Sequence, residues 1–319
     1  MLQLHEKVLG GCLPRALELV WAATTREQAL PGLVPKPRHQ VVRVSGQRSA
    51  RYGSTVAKNV QRGSSEPGRV NILGVEVSAI NMTQALDTME GWIAQRQANY
   101  VCVTGVHGIM ESQESDSLRR VHNAAGLVTP DGMPLVWLAR LHGFHHVERV
   151  YGPDLMLALC ERSIMKGYRH FLYGGAEGVP ERLANKLKQR YSQLQIVGTY
   201  SPPFRSLTEE ENEQIVQTIN AADPDIVWIG LSTPKQERWM AEHLGRLTAP
   251  VLIGVGAAFD FHSGLKNQAP RWMQRSGLEW LFRLASEPQR LWHRYLVNNP
   301  LFVLKVLQQA LGLKHYPNT

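Results

Sequence analysis

No stretch of this sequence approaches the roughly 20 consecutive apolar residues that a bilayer-spanning helix needs. Its greasiest C-terminal run, residues 301–313, is interrupted by Lys305 and the pair Gln308 and Gln309, so no spanning helix is expected. Cysteine is scarce: Cys12, Cys102 and Cys160 are the only three, at wide spacing. They form neither a disulfide framework nor a zinc-ligand pair, and they suit a reducing, cytoplasmic compartment. Aromatic residues make up 8% of the chain, and the most basic segment, 36–69, has Tyr52 alone. Without stacking platforms, nucleic acid is not an expected partner. Gly-x-Ser-x-Gly, the Walker loop and His-Glu-x-x-His are missing, which sets aside the commonest hydrolase, NTPase and zinc-protease readings.

The 319 residues are 43% hydrophobic and 19% charged, enough for one large or two smaller buried cores. The net charge of +8 is unevenly placed. Residues 36–69 carry eight cations against Glu66 alone, and residues 265–319 carry eight against Glu279 and Glu287. The segment between is mildly acidic, and basic flanks of this kind suit an anionic surface or a phosphate-bearing ligand.

Three regions follow from the patterning. Residues 1–69 read as an N-terminal amphipathic segment, with Val8, Leu9, Cys12, Leu13, Ala16, Leu17, Val20 and Trp21 at helical spacing, and then a basic flexible arm. In residues 70–264, short apolar runs alternate with helical patterns. Strands are expected at 71–77, 100–103, 127–129, 170–173, 195–197, 226–229 and 251–255, and helices at 82–97, 108–122, 133–141, 178–190, 209–220 and 235–244. Such alternation predicts an α/β, Rossmann-like, largely parallel sheet with helices on both faces, whose ligands sit at the carboxyl ends of the strands. Residues 265–319 read as a helical, basic C-terminal appendage with helices near 271–286, 288–297 and 300–312, and Pro270, Pro288 and Pro300 near their starts.

Several places could carry chemistry. Asp131, in Pro130-Asp131-Gly132-Met133-Pro134, follows a strand and precedes a helix, where it could be a general base or a helix cap. Gly174 and Gly175 end one strand. Gly230 ends another, just before Lys235, Gln236 and Glu237; such glycine turns either admit a phosphate to backbone N–H groups or are simply tight connections. His142, His145 and His146 lack partners at metal-ligand spacing and read as surface imidazoles. Arg283, Arg290 and Arg294 recur at spacings of 7 and 4, as a solvated basic face or as a clamp on a diphosphate.

Taken together, Pro130–Pro134, Arg149-Val-Tyr-Gly-Pro-Asp-Leu155, Tyr173-Gly-Gly175, residues 230–237, Gly254-Val-Gly-Ala-Ala-Phe-Asp-Phe261 and Glu279-Trp-Leu-Phe-Arg283 resemble the WecG/TagA/CpsF family of bacterial glycosyltransferases over about residues 70–298. The resemblance implies a glycosyltransferase, and the mechanism expected from these parts is inverting, metal-independent and without a cofactor. The implied enzyme would move a hexose or N-acetylhexosamine from a UDP-sugar to a polyprenyl-diphosphate-linked saccharide, peripherally on the inner face of the cell membrane, in surface or exopolysaccharide synthesis. By motif, Asp131 is the implied base, and Arg149, Asp154, Gly174, Gly175, Gly230, Lys235, Gln236, Glu237 and Asp260 are implied substrate-binding positions. Arg283, Arg290 and Arg294 are implied for the diphosphate. Where the family usually has Thr-x-Asn, this chain reads Val103-Thr104-Gly105 and then Val106-His107-Gly108, so Thr104 or His107 is expected to supply the polar contact. The competing reading is a non-catalytic, nucleotide-binding scaffold at the membrane surface.

Overall fold

The computed structural model describes residues 67–318. The expected amphipathic segment and all but the end of the basic arm lie outside these residues.

In place of the single strand expected at 71–77, the described chain opens on an antiparallel hairpin, β1 (Arg69–Ile72) and β2 (Val75–Ser78). Leu73 and Gly74 between them have φ of 52° and 84°, the positive pair that a two-residue primed turn requires. Leu73 is buried like its apolar neighbours. The hydrophobic pattern therefore runs through the turn unbroken and mimics one strand.

After α1 (Met82–Gln95) come β3 (Asn99–Thr104), α2 (Val106–Glu114), α3 (Asp116–Ala124), β4 (Leu127–Pro130), α4 (Met133–Leu141), α5 (Gly152–Lys166), β5 (Arg169–Gly174), α6 (Val179–Arg190) and β6 (Gln195–Tyr200). Then follow α7 (Glu209–Ala221), β7 (Ile226–Gly230), α8 (Lys235–His243), β8 (Val251–Gly254) and α9 (Ala258–His262). The strands from β3 onward form one six-stranded parallel sheet in the order β4-β3-β8-β7-β5-β6. This is the expected Rossmann-like α/β fold. Alternate residues feed opposite faces: Tyr100, Cys102, Val227 and Ile229 join one buried cluster, and Val101, Ile226, Trp228 and Ile253 the other. With both faces covered, the strands read as continuous apolar runs.

The helix expected at 108–122 is two helices. Ser115 breaks it with φ −143°, and its hydroxyl caps α3 by accepting from the Leu118 amide at 3.3 Å. α5, which no expectation included, begins with Pro153 in its first turn.

The C-terminal region comprises α10 (Arg271–Arg275), α11 (Glu279–Ser286), α12 (Pro288–Trp292), a π-helical turn (His293–Val297) and α13 (Asn298–Ala310). The expected 271–286 helix is split near Gly277, whose φ is +76°. α13 packs against the body through buried Phe302. Its Gln309 accepts from the Leu73 amide at 3.0 Å and donates to the Asn71 carbonyl at 3.1 Å. Its other side leaves Val303, Leu304 and Leu307 each more than half exposed. Among the described residues, no helix is long and apolar enough to cross a membrane.

Candidate active site

The carboxyl ends of β3 and β4 place Asp131. Its amide donates to the Thr104 carbonyl at 2.9 Å, continuing the β3–β4 pairing one residue past the strand. The N-cap of α4 is Gly132, with no side-chain cap, so Asp131 is free of the capping role that the sequence left open. Its Oδ1 instead accepts from the Gly152 amide at 3.4 Å and lies 3.7 Å from the Arg149 guanidinium. Burial raises the Asp131 pKa above the usual carboxylate value; Arg149 opposes this, and Glu279 adds to it. The carboxyl still keeps 30% of its side-chain exposure, enough to meet a ligand. A carboxylate whose pKa lies nearer to neutrality is a stronger base for a hydroxyl proton.

Arg149 anchors this corner. Its Nε donates to the Asp131 carbonyl, its Nη2 to Glu279 Oε2 at 2.6 Å and its Nη1 to the Gln274 carbonyl at 3.3 Å. The Tyr151 hydroxyl donates to the other Glu279 oxygen at 3.1 Å, and the guanidinium lies over the Tyr151 ring at 4.0 Å. Glu279 and Tyr151 are thus as much a part of the corner as Arg149. Both lie inside motifs visible in the sequence, but nothing in spacing alone pairs residues so far apart.

Two cavities meet here. A polar one of about 700 Å³ runs along the carboxyl edge of the sheet, from Asp131 past Gly152, Gly175, Gly230, Lys235, Gln236 and Gly256 to the loop after β6. An apolar one of about 780 Å³ lies between α4 and the C-terminal helices, with Trp137, Leu141, Val303 and Leu307 in its wall. Asp131, Arg283 and Arg294 line both. The Arg294 Nε is buried without a hydrogen-bond partner among the described residues, and burial beside Arg283 pulls its pKa down. Two desolvated guanidinium groups side by side make a strong anion trap.

The other expected site residues fall into three groups. Lys235, Gln236, Gly175, Gly230, Asp260 and Arg290 line the polar cavity, and Arg149 and His107 the apolar one. Burial pushes the His107 pKa down to about 3, with Arg294 and Arg283 adding to the effect, so its imidazole is neutral at physiological pH. Asp260 is paired with Lys266 at 3.1 Å, and Arg290 with Glu287 at 2.8 Å. Gly174 and Glu237 act from behind the wall. A Cβ on Gly174 would lie 2.7 Å from Gly230 backbone, and Glu237 Oε1 accepts from Thr233 Oγ1 and from Gln236 Nε2. Thr104 and Asp154 stand apart from both cavities. Thr104 is 2% exposed, its hydroxyl donates to the Cys102 carbonyl, and it lines neither cavity. Asp154 turns away to hold Arg271 at 2.7 Å and likewise lines neither.

His142, His145 and His146 are exposed, as expected. Asp223-Pro224-Asp225 has the form of an Asp-x-Asp metal motif. It lies at the amino end of β7, bound to Arg96 and Arg169, across the sheet from both cavities.

Bacillus subtilis N-acetylglucosaminyldiphosphoundecaprenol N-acetyl-beta-D-mannosaminyltransferase is 31% identical over 196 residues, covering 61% of this chain and 74% of the relative. Its namesake from Bacillus spizizenii is 28% identical over 70% of this chain and 86% of the relative. The Staphylococcus aureus protein of that name is 23% identical over 78% and 96%. Residues 70–316 match the glycosyl transferase WecG/TagA/CpsF family, and the chain therefore belongs to that family.

Proposed function

We propose that this protein transfers a hexose or N-acetylhexosamine from a UDP-sugar to a polyprenyl-diphosphate-linked saccharide, with inversion at the anomeric carbon. The observation that carries the reading is the meeting of a polar and an apolar cavity at Asp131, Arg283 and Arg294. A nucleotide sugar fits the first, the isoprenoid end of the acceptor fits the second, and the reacting atoms meet at the junction. The names of the curated relatives, which specify an undecaprenol-diphosphate acceptor, support the same assignment.

In this mechanism the acceptor hydroxyl oxygen attacks the anomeric carbon while Asp131 takes its proton, a contribution of about 10²–10⁴-fold in rate. The bond from that carbon to the diphosphate breaks, and UDP leaves with the electron pair. Arg283, Arg294 and the amides at the start of α8 meet the charge that develops on it. Arg149 and Glu279 hold Asp131 in place. The exposed leucines and valine of α13 face the membrane in which the acceptor is anchored, with Lys305 and Lys314 near its anionic headgroups.

The test is incubation with a panel of UDP-sugars and a synthetic lipid-diphosphate saccharide, with and without EDTA, followed by mass spectrometry and NMR of the product. A product of inverted anomeric configuration, formed equally with EDTA, is expected. Nucleotide binding without turnover of any sugar would favour the scaffold reading instead.

A further inference from the structure

Gln236 and Glu237 are consecutive residues in the first turn of α8. Neighbours in a helix point about 100° apart and do not normally meet, yet Gln236 Nε2 donates to Glu237 Oε1 at 3.1 Å. The same oxygen accepts from Thr233 Oγ1 at 2.8 Å. Both side chains are buried, Gln236 at 3% exposure and Glu237 at 1%, so the contact joins two fixed groups. Gly254, the last residue of β8, leaves the space that the amide fills. A Cβ there would stand 3.1 Å from both Cδ and Nε2 of Gln236.

This contact decides which edge of the amide is free. A carboxylate oxygen offers lone pairs and no proton, so the edge of Gln236 that meets it must be the NH2. The other edge, Oε1, is left as an acceptor, buried and without a hydrogen-bond partner among the described residues. Gln236 lines the polar cavity, and so does Gly256, where a Cβ would stand 3.5 Å from Oε1. An acceptor fixed in place at a cavity wall and left unpaired calls for a donor from whatever fills the cavity. The contact lies on the Asp131 side of the sheet, because β4, which leads into Asp131, and β8, which leads into Gly256, flank β3.

We propose that Glu237 is a positioning residue of the donor site: by engaging the Gln236 amide nitrogen it fixes Gln236 Oε1 as an acceptor, and the transferred sugar binds there through a hydroxyl or an amide N–H. This rests on the donor-site reading above and adds to it the polarity of one sugar contact and the residue that sets it. An unguided glutamine accepts or donates by turning its amide. The guided one discriminates against a sugar without a donor at that position.

The experiment is calorimetric titration of the full chain with UDP, UDP-N-acetylmannosamine and UDP-glucose. Gln236→Ala and Glu237→Gln are each expected to weaken the tighter-binding UDP-sugar by about tenfold and to leave UDP within twofold of wild type. Because Glu237 acts through Gln236, the double variant binds no more weakly than Gln236→Ala alone. Losses that multiply in the double variant overturn the proposal, as does an equal loss for UDP, the result expected if Glu237 only supports the wall. A wild-type chain that binds UDP and neither UDP-sugar overturns it too. A second measurement holds even if Glu237→Gln does not fold. Deoxyfluoro analogues of the UDP-sugar, and one with an ester in place of any acetamido N–H, each remove a single donor and keep an acceptor in its place. One of them is expected to bind wild type about tenfold more weakly than the parent sugar nucleotide, and Gln236→Ala equally well. Undiminished binding of every analogue to wild type overturns the proposal. Failure of the wild-type protein to bind UDP would instead remove the donor-site reading, and this inference with it.

Discussion

Arg149 and Glu279, 130 positions apart in the chain, are joined by a 2.6 Å contact between side chains only 16% and 11% exposed. The pair ties the loop that carries Asp131 to the first turn of α11, and so fixes the C-terminal helices against the end of the sheet. Glu279→Ala leaves a buried guanidinium without its counter-charge, at a cost of about 3 kcal/mol. The expected result is a melting temperature lower by roughly 6–12 °C for a domain of this size. A shift under 2 °C in a calorimetric scan would show that the pair is dispensable.

Asp131→Asn removes the base and keeps the shape. Turnover is expected to fall by at least about 10²-fold, with the affinity for UDP unchanged. Activity within a few-fold of wild type would leave the proton without its proposed acceptor.

The pH profile carries a sign that can be worked out. The ionised carboxylate is the active form, and burial holds its pKa above the ordinary 3.8. Activity is therefore lost as pH falls through that raised value, and the acid limb of kcat/KM lies above 3.8. The negative charge of Glu279 contributes to the upward shift, so Glu279→Gln moves the limb to lower pH. A limb that stays in place shows that the two carboxylates do not sense each other.

The three arginines are not equivalent. Arg283 and Arg294 line both cavities, whereas Arg290 lines only the polar one, is 57% exposed and is held by Glu287. Alanine at either of the first two is expected to cost at least about tenfold in kcat/KM with the lipid-linked acceptor, and lysine to rescue poorly. Arg290→Ala should cost only a few-fold. Equal losses at all three would mean that the Glu287 pair opens when substrate binds.

Acceptor chain length tests the apolar cavity. Val303→Asp combined with Leu307→Asp charges its wall at positions 56% and 53% exposed. The variant should lose most of its activity on a long-chain isoprenoid acceptor and keep it on a short-chain analogue. Equal loss on both would move the isoprenoid elsewhere.

The alternation of strand and helix made the sheet legible, because strands covered on both faces carry continuous apolar runs that stand out between amphipathic helices. The hairpin turn was hidden because Leu73 is itself buried, and the break at Ser115 because a cap inside a periodic pattern looks like any polar residue on a helix. At the site, Asp131 and the glycines announced themselves by following strands directly. Thr104, the last residue of β3, has a similar local signature, and Asp154 stands in the first turn of α5. Only three-dimensional placement shows the Thr104 hydroxyl bonded to its own strand and Asp154 spent on Arg271. Glu279 was invisible as a partner for the opposite reason, since its role is set by a residue more than a hundred positions away.

Gln309 reaches back to the backbone of Asn71 and Leu73, across separations of 238 and 236 residues. Contacts of that span are the slowest to form, because the loop they close carries its entropy cost before they return any gain. During synthesis, the hairpin leaves the ribosome long before α13 exists, and at some 5–20 residues per second it waits at least several seconds for the helix that satisfies it. The body of the enzyme can therefore be completed only when the last helix arrives, and the same late event shapes the cavity in which the acceptor is proposed to lie.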